Sequence, residues 1–135
     1  MGSLKLKVLI GIGCAIVLVL VALLVRSGGR YRAKDASAES EPVQRSLEII
    51  RALAQDPASA SACMVAGANR QAQASVEEAA RRVSGATAIE LKQAAWFGDY
   101  LRVEVTCTRA DGGAVEQYFL FREEGGKLRA TGAGT

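Results

Sequence analysis

Leu101-Arg102-Val103-Glu104-Val105-Thr106-Cys107-Thr108 alternates apolar and polar residues at every step. In an extended chain successive side chains point to opposite sides. Leu101, Val103, Val105 and Cys107 therefore share one face, and Arg102, Glu104, Thr106 and Thr108 share the other. A strand patterned this way belongs to an antiparallel sheet with one covered face and one wet face.

Working outward, Gly98-Asp99 precedes this strand and Asp111-Gly112-Gly113 follows it. With Glu124-Gly125-Gly126 these make three hairpin turns. They predict four strands, over 87–96, 100–109, 114–122 and 127–131. A three-residue loop at Asp111-Gly112-Gly113 sets Val105 opposite Phe119 and Val103 opposite Phe121. A two-residue turn at Glu124-Gly125 sets Leu128 opposite Phe121 and Ala130 opposite Phe119. A three-residue loop at Phe97-Gly98-Asp99 sets Leu91 opposite Val105 and Ile89 opposite Cys107. All four strands then share one apolar face. Trp96, Tyr118 and Leu120 are left for the opposite face or the sheet edge.

Upstream, the period changes from 2 to 3.6. Pro42 suits the first turn of a helix, and Val43, Leu47, Ile50 and Ala54 form one stripe, widened by Ile49 and Leu53. Asp56-Pro57 stops that helix and starts a short second one over 58–66, which Gly67 ends. Ser75-Val76-Glu77-Glu78 matches a capping box. Val76, Ala79, Ala80 and Val83 follow as one face, with Gly85 as terminator. Three helices are thus available to cover the sheet.

The N-terminal part is of another kind. Val8 to Val25 is an unbroken run without a charge or an amide, including Val8, Leu9, Ile10, Ile16, Val17, Leu18, Val19, Leu20, Leu23, Leu24 and Val25. As a helix it measures about 27 Å, close to the hydrocarbon thickness of a bilayer. A cleaved signal peptide needs a shorter core and a small-x-small site, and Ala22-Leu23-Leu24-Val25-Arg26-Ser27 offers none. A lipoprotein anchor would use Cys14, but Gly11 stands where that pattern has Leu, and eleven apolar residues follow. The run reads as an uncleaved single-span signal-anchor. The order expected is a tail (1–7), a transmembrane helix (8–25), a flexible linker (26–41) and a small α+β domain (42–135). A 16-residue coil spans about 20–25 Å.

The formal charge is +3. Residues 1–41 carry six basic and three acidic side chains, and the rest of the chain balances at eleven each. The excess lies beside the apolar run, where it would meet lipid phosphates. A nucleic-acid module carries its surplus on the folded part, so no nucleic-acid partner is expected. There is no histidine, which removes Ser-His-Asp and Cys-His catalysis and most zinc and copper sites. The cysteines form no C-x-x-C pair. No catalytic, cofactor or metal residues can be nominated, and the chain reads as a non-enzyme.

The order of helices followed by a meander, ending in Tyr118-Phe119-Leu120-Phe121 and Gly126-Lys127-Leu128, resembles the nuclear transport factor 2-like cone over about residues 42–132. The resemblance implies helices packed into a curved sheet. Membrane-anchored members of that group are envelope and secretion-machinery subunits, and soluble members are small-ligand binders or enzymes.

Two constellations invite a functional reading. Cys63 and Cys107 either form a disulfide, closing a loop of about 45 residues, or are two reduced buried thiols. Trp96, Phe97, Tyr100 and Tyr118 either form a partner-binding aromatic patch or pack an ordinary half-buried sheet. Glu77, Glu78, Arg81 and Arg82 read as a solvated helix face with pairs at i, i+4. Glu90, Glu104 and Glu116 could mimic an acid–base pair, but Lys92, Arg102 and Arg109 make cross-strand salt pairing the better reading. The function expected is an accessory or scaffold subunit that docks onto a membrane or envelope assembly, with lipid and protein as partners. A tethered binder of a small apolar ligand between helices and sheet is the alternative. Ala- and Arg-rich, Lys-poor usage fits a bacterial source with a GC-rich genome, so the membrane expected is the bacterial inner membrane. The positive-inside rule slightly favours a cytoplasmic C-terminal part, the two domain cysteines and the short two-lysine tail favour the other side, and an extracytoplasmic domain is expected.

Overall fold

The computed structural model describes residues 33–135. The Val8–Val25 run expected to span the membrane lies outside the described residues. Among the described residues no helix is long and apolar enough to cross a membrane.

The unit is α+β, with three helices on an antiparallel sheet of five strands in the order β1-β2-β3-β4-β5. Sequence reading gave four. The additional strand, β1 (Lys34–Asp35), comes from the stretch read as linker. Lys34 lies opposite Trp96 and Asp35 opposite Ala95, and the Ala36 N–H donates to the Ala94 carbonyl at 2.9 Å. Two residues are too few to show a period, so nothing in the sequence announces this strand. The following turn is also ordered: the Ser40 hydroxyl donates to the Ser37 carbonyl at 2.7 Å.

Helix α1 (Glu41–Gln55) begins with Pro42 in its first turn and buries Val43, Ser46, Leu47, Ile50 and Leu53. The segment Pro57–Cys63 is a 3-10 helix that buries only Ala60. Helix α2 (Arg70–Val83) starts five residues before the capping box read from sequence. Asn69 is the cap, its side-chain oxygen accepting from the Ala72 N–H at 2.8 Å. Ser75 sits inside the helix, where its hydroxyl donates to the Ala72 carbonyl at 2.7 Å. The expected face of Val76, Ala79, Ala80 and Val83 is the buried one.

Strands β2 (Ala86–Phe97), β3 (Tyr100–Arg109), β4 (Ala114–Glu124) and β5 (Lys127–Gly134) form the meander. Leu91 pairs with Val105 and Ile89 with Cys107 as expected. The route differs: Gly98-Asp99 is a two-residue turn, and a bulge at Lys92 restores the register. Between β3 and β4 the register is two residues from expectation. Val103 faces Phe119, Leu101 faces Phe121 and Val105 faces Gln117. The loop is Ala110-Asp111-Gly112, closed by an Arg109 N–H to Gly113 carbonyl bond of 2.8 Å. Gly112, with φ +86°, takes the left-handed position. That loop is one residue earlier than expected, and the β4–β5 turn is one residue later, at Gly125-Gly126. Phe121 therefore faces Ala130, and a bulge at Thr131 puts Phe119 opposite Ala133.

Phe119 and Phe121 stack with centroids 6.2 Å apart at the centre of the covered face. Val43, Ile50, Leu53, Val76 and Val83 close over the sheet at 0 % exposure. Each such side chain contributes roughly 1.5–3 kcal/mol relative to an exposed one. One polar residue intrudes. Gln117 is 2 % exposed. Its amide donates to the Gly134 carbonyl at 2.6 Å and the Tyr118 carbonyl at 3.1 Å, while its oxygen is buried without a protein partner.

Candidate functional site

The two outer edges of the sheet are finished differently. Along β5, the chain between the 3-10 helix and α2 lies against the strand. Met64 bridges Ala130, and the Val65 N–H donates to the Ala130 carbonyl at 2.9 Å. The Ala133 N–H donates to the Ser75 hydroxyl at 3.2 Å, and Arg129 donates to the Ala62 carbonyl at 2.8 Å. Glu124 accepts from the Ala66 N–H at 3.1 Å.

Strand β2 is covered only at its C-terminal end. Ala94 and Ala95, beneath β1, are buried at 5 % and 4 % exposure. From Ala86 to Gln93 every residue is exposed or half-buried, and no described strand pairs with the outer side. A surface groove of about 580 Å³ runs beside this open stretch, between Arg51, Ala54 and Gln55 of α1 and Ser84 to Ile89. Arg51 makes no ion pair among the described residues. Arg109, opposite Ala86, donates to the Arg82 carbonyl at 3.0 Å. This end of the sheet offers free backbone groups, a partly apolar strand and an unpaired guanidinium.

The four aromatic residues do not form one patch. Trp96 stands opposite Leu101 and packs against the core. Phe97 and Tyr100 pair across the Gly98-Asp99 turn and are the large hydrophobic side chains exposed among the described residues, at 38 % and 41 %. Tyr118 lies further along the uncovered face, with the Arg102 guanidinium 4.3 Å from its ring centroid. Arg122 stands 6.0 Å from the Tyr100 ring.

Cys63 and Cys107 are free thiols. Cys63 adjoins Met64, which bridges Ala130; Ala130 faces Phe121, and Phe121 faces Leu101. Cys107 lies six residues further along β3, opposite Val115 of β4, and the two thiols are not bonded to each other. Burial pushes both thiols above their ordinary value of 9.0, against a smaller lowering by Arg129 at Cys63 and by Arg109 at Cys107. Neither is set up as a thiolate nucleophile.

Of the sheet carboxylates Glu90, Glu104 and Glu116, the last two pair with Lys92, whereas Arg102 stacks on Tyr118 and Arg109 bonds the Arg82 carbonyl. Lys92 lies 2.7 Å from Glu116 and 3.7 Å from Glu104. The Glu116 hydrogen bond raises the Lys92 pKa, opposed by a smaller loss of hydration. On α2 the pair is Arg81 with Glu78 at 2.7 Å, spaced i, i+3 rather than i, i+4. The open β2 edge and its groove escaped sequence reading, because Thr87 to Trp96 gives no sign of which strand will lie outermost.

Neither a known family, nor a curated protein, nor a solved structure matches this chain.

Proposed function

We propose that the chain is a single-pass membrane-anchored accessory or scaffold subunit whose α+β unit docks onto a larger membrane or envelope assembly. The observation that carries this is the 18-residue uncharged run Val8–Val25, eight residues ahead of the first strand. The open β2 edge supports the docking half of the reading. An extended segment of a partner can add a strand to Ala86–Gln93 and place side chains in the groove beside it. Arg51 on the groove wall favours an acidic residue there. The order of helices and meander, which resembles the nuclear transport factor 2-like cone, agrees with an envelope subunit.

A small apolar ligand between helices and sheet gains no such support. Phe119, Phe121, Leu101 and the α1 and α2 side chains fill that space, and the groove lies at the surface beside Arg51, Gln55 and Ser84.

Purification from the native membrane in mild detergent tests the proposal. Stoichiometric partners should co-migrate with the chain, and Arg51→Glu, an exposed change, should weaken their retention several-fold. A free monomer at native abundance overturns it. Peptide-resolved labelling of Cys63 in intact cells reports the side of the membrane, with reaction to an impermeant maleimide expected for an extracytoplasmic unit.

A further inference from the structure

The outer edge of β2 is open over a limited length. The bulges at Thr87 and Lys92 leave Ala88–Leu91 as regular ladder between them, about 13 Å at ordinary rise. The two sides of this stretch differ in chemistry. Ile89 and Leu91 lie opposite Cys107 and Val105, so they stand on the covered side, both half-buried. Glu90 lies opposite Thr106, on the wet side, next to Lys92, whose ammonium is already held by Glu116 and Glu104.

The charge around the groove has one sign. Among the described residues, Arg51 is the charged member of its lining, and Ala54, Ala86 and Ile89 supply apolar surface. Arg82, two residues before Ser84, and Arg109, opposite Ala86, flank the same end of β2, joined by the bond from Arg109 to the Arg82 carbonyl. None of these three arginines has an ion pair among the described residues. A strand laid along Ala88–Leu91 points alternate side chains over the groove and the others past Glu90. The groove side suits an apolar and a negative group. The wet side repels a negative one, because Glu90 has no cation partner among the described residues.

We propose that this edge takes a short extended segment of a partner protein in which an acidic and an apolar side chain lie two residues apart. Both face the groove, the carboxylate against Arg51 and the apolar group over Ile89 and Ala54. The proposal rests on reading the edge as the docking surface of an accessory subunit, and adds the chemistry of the segment and the side that carries its charge. A second copy of β2 fits poorly, since its acid, Glu90, alternates with Ile89 and Leu91 instead of sharing their face.

The full chain in detergent solution is titrated with a capped, fluorescein-labelled peptide, Gly-Ser-Thr-Val-Thr-Glu-Thr-Val-Ser-Gly, which carries both valines and the glutamate on one face of a strand. Anisotropy should show binding about fivefold tighter than with lysine in place of glutamate, and the preference should shrink with salt. Exchanging the glutamate with the threonine after the first valine keeps the composition, moves the charge to the Glu90 side and should weaken binding as much. Arg51→Glu, an exposed change, should reverse the preference toward the lysine peptide with an unchanged unfolding midpoint. Amide exchange should slow at Ala88–Leu91 and not along β5. Binding indifferent to peptide charge, a preference that Arg51→Glu leaves in place, or no binding up to millimolar peptide overturns the proposal. Protection of Ala88–Leu91 that rises with protein concentration alone assigns the edge to a second copy and also overturns it. Peptides that fail while stoichiometric partners are retained in the native membrane remove the acidic segment and keep the subunit reading. Peptide binding by a chain that has no native partner removes the subunit reading and keeps the edge chemistry.

Discussion

The β5 edge and the β2 edge belong to one sheet but face different surroundings. Along β5, outward backbone groups find partners on Val65 and Ser75, and Arg129 ties the 3-10 helix down. Along β2, the two residues of β1 cover Ala95 and Trp96, and the strand is left open from Ala86 to Gln93. An unpaired edge invites association with another chain, and natural sheets blunt such edges with bulges and lysines. Strand β2 carries bulges at Thr87 and Lys92, so the edge is guarded against indiscriminate pairing without being closed. The difference separates an edge whose outer backbone groups are satisfied from one left unpaired among the described residues.

The comparison can be broken most severely beneath the closed edge. Phe121→Ala removes a side chain of 0 % exposure that faces Ala130, and should cost about 3–5 kcal/mol in urea unfolding followed by Trp96 fluorescence. Leu91→Ala, in the half-buried open strand, should cost no more than about 1.5 kcal/mol. Ser75→Ala is the next step down. It strands the Ala133 N–H, should cost about 1–2 kcal/mol, and should speed amide exchange at Ala133 without changing β2. In the unmodified chain, hydrogen exchange should already show Val65 and Ala133 protected while alternate amides of Ala86–Gln93 exchange fast.

These contrasts show where sequence was sufficient. The alternation in Tyr100–Arg109 placed β3 to the residue, and the apolar face was right except at the end of β2, where the bulge at Lys92 turns Trp96, expected on the opposite face or the edge, onto the core beside Leu101. Register failed at two turns for one reason. Gly112-Gly113 and Gly125-Gly126 each offer adjacent glycines, and whether one takes positive φ, as Gly112 does, or both do, as Gly125 and Gly126 do, decides where the loop closes. An error of one turn residue moves the pairing by two, which keeps every side chain on its face and changes only its neighbour. That hid Gln117 opposite Val105, a polar residue inside the core. At the start of α2, Ser75-Val76-Glu77-Glu78 imitated a cap while Asn69 supplied the real one. The aromatic residues were visible as a group, but their division between Trp96 inside and Phe97 with Tyr100 outside depended on a turn of two residues instead of three.

Thiol chemistry sharpens the comparison with a smaller effect. Both folded thiols titrate above the unfolded value near 9.0, so their contribution to stability is complete below that pH. It declines as pH rises, because the unfolded chain loses its protons first. Stability should be flat from pH 6 to 8 and fall above 9, and Cys107→Val should flatten the alkaline fall. Maleimide mapping should label Cys63, half-buried, well before Cys107, at 0 % exposure. The smallest effect belongs to Lys92→Met on the open strand. It removes the exposed pairing with Glu116 and Glu104, and should barely move the unfolding midpoint while making the edge more prone to self-association in light scattering.

The two-residue strand at Lys34–Asp35 also has a mechanical meaning. A pull on the chain ahead of Lys34 loads a ladder only a few hydrogen bonds long before it reaches the packed interior. Sudden pulling would peel this strip away first, uncovering Ala94 and Ala95 while the rest of the fold survives. The sheet thus has its weakest link at the strand through which the chain enters it, one that can yield and re-form under load.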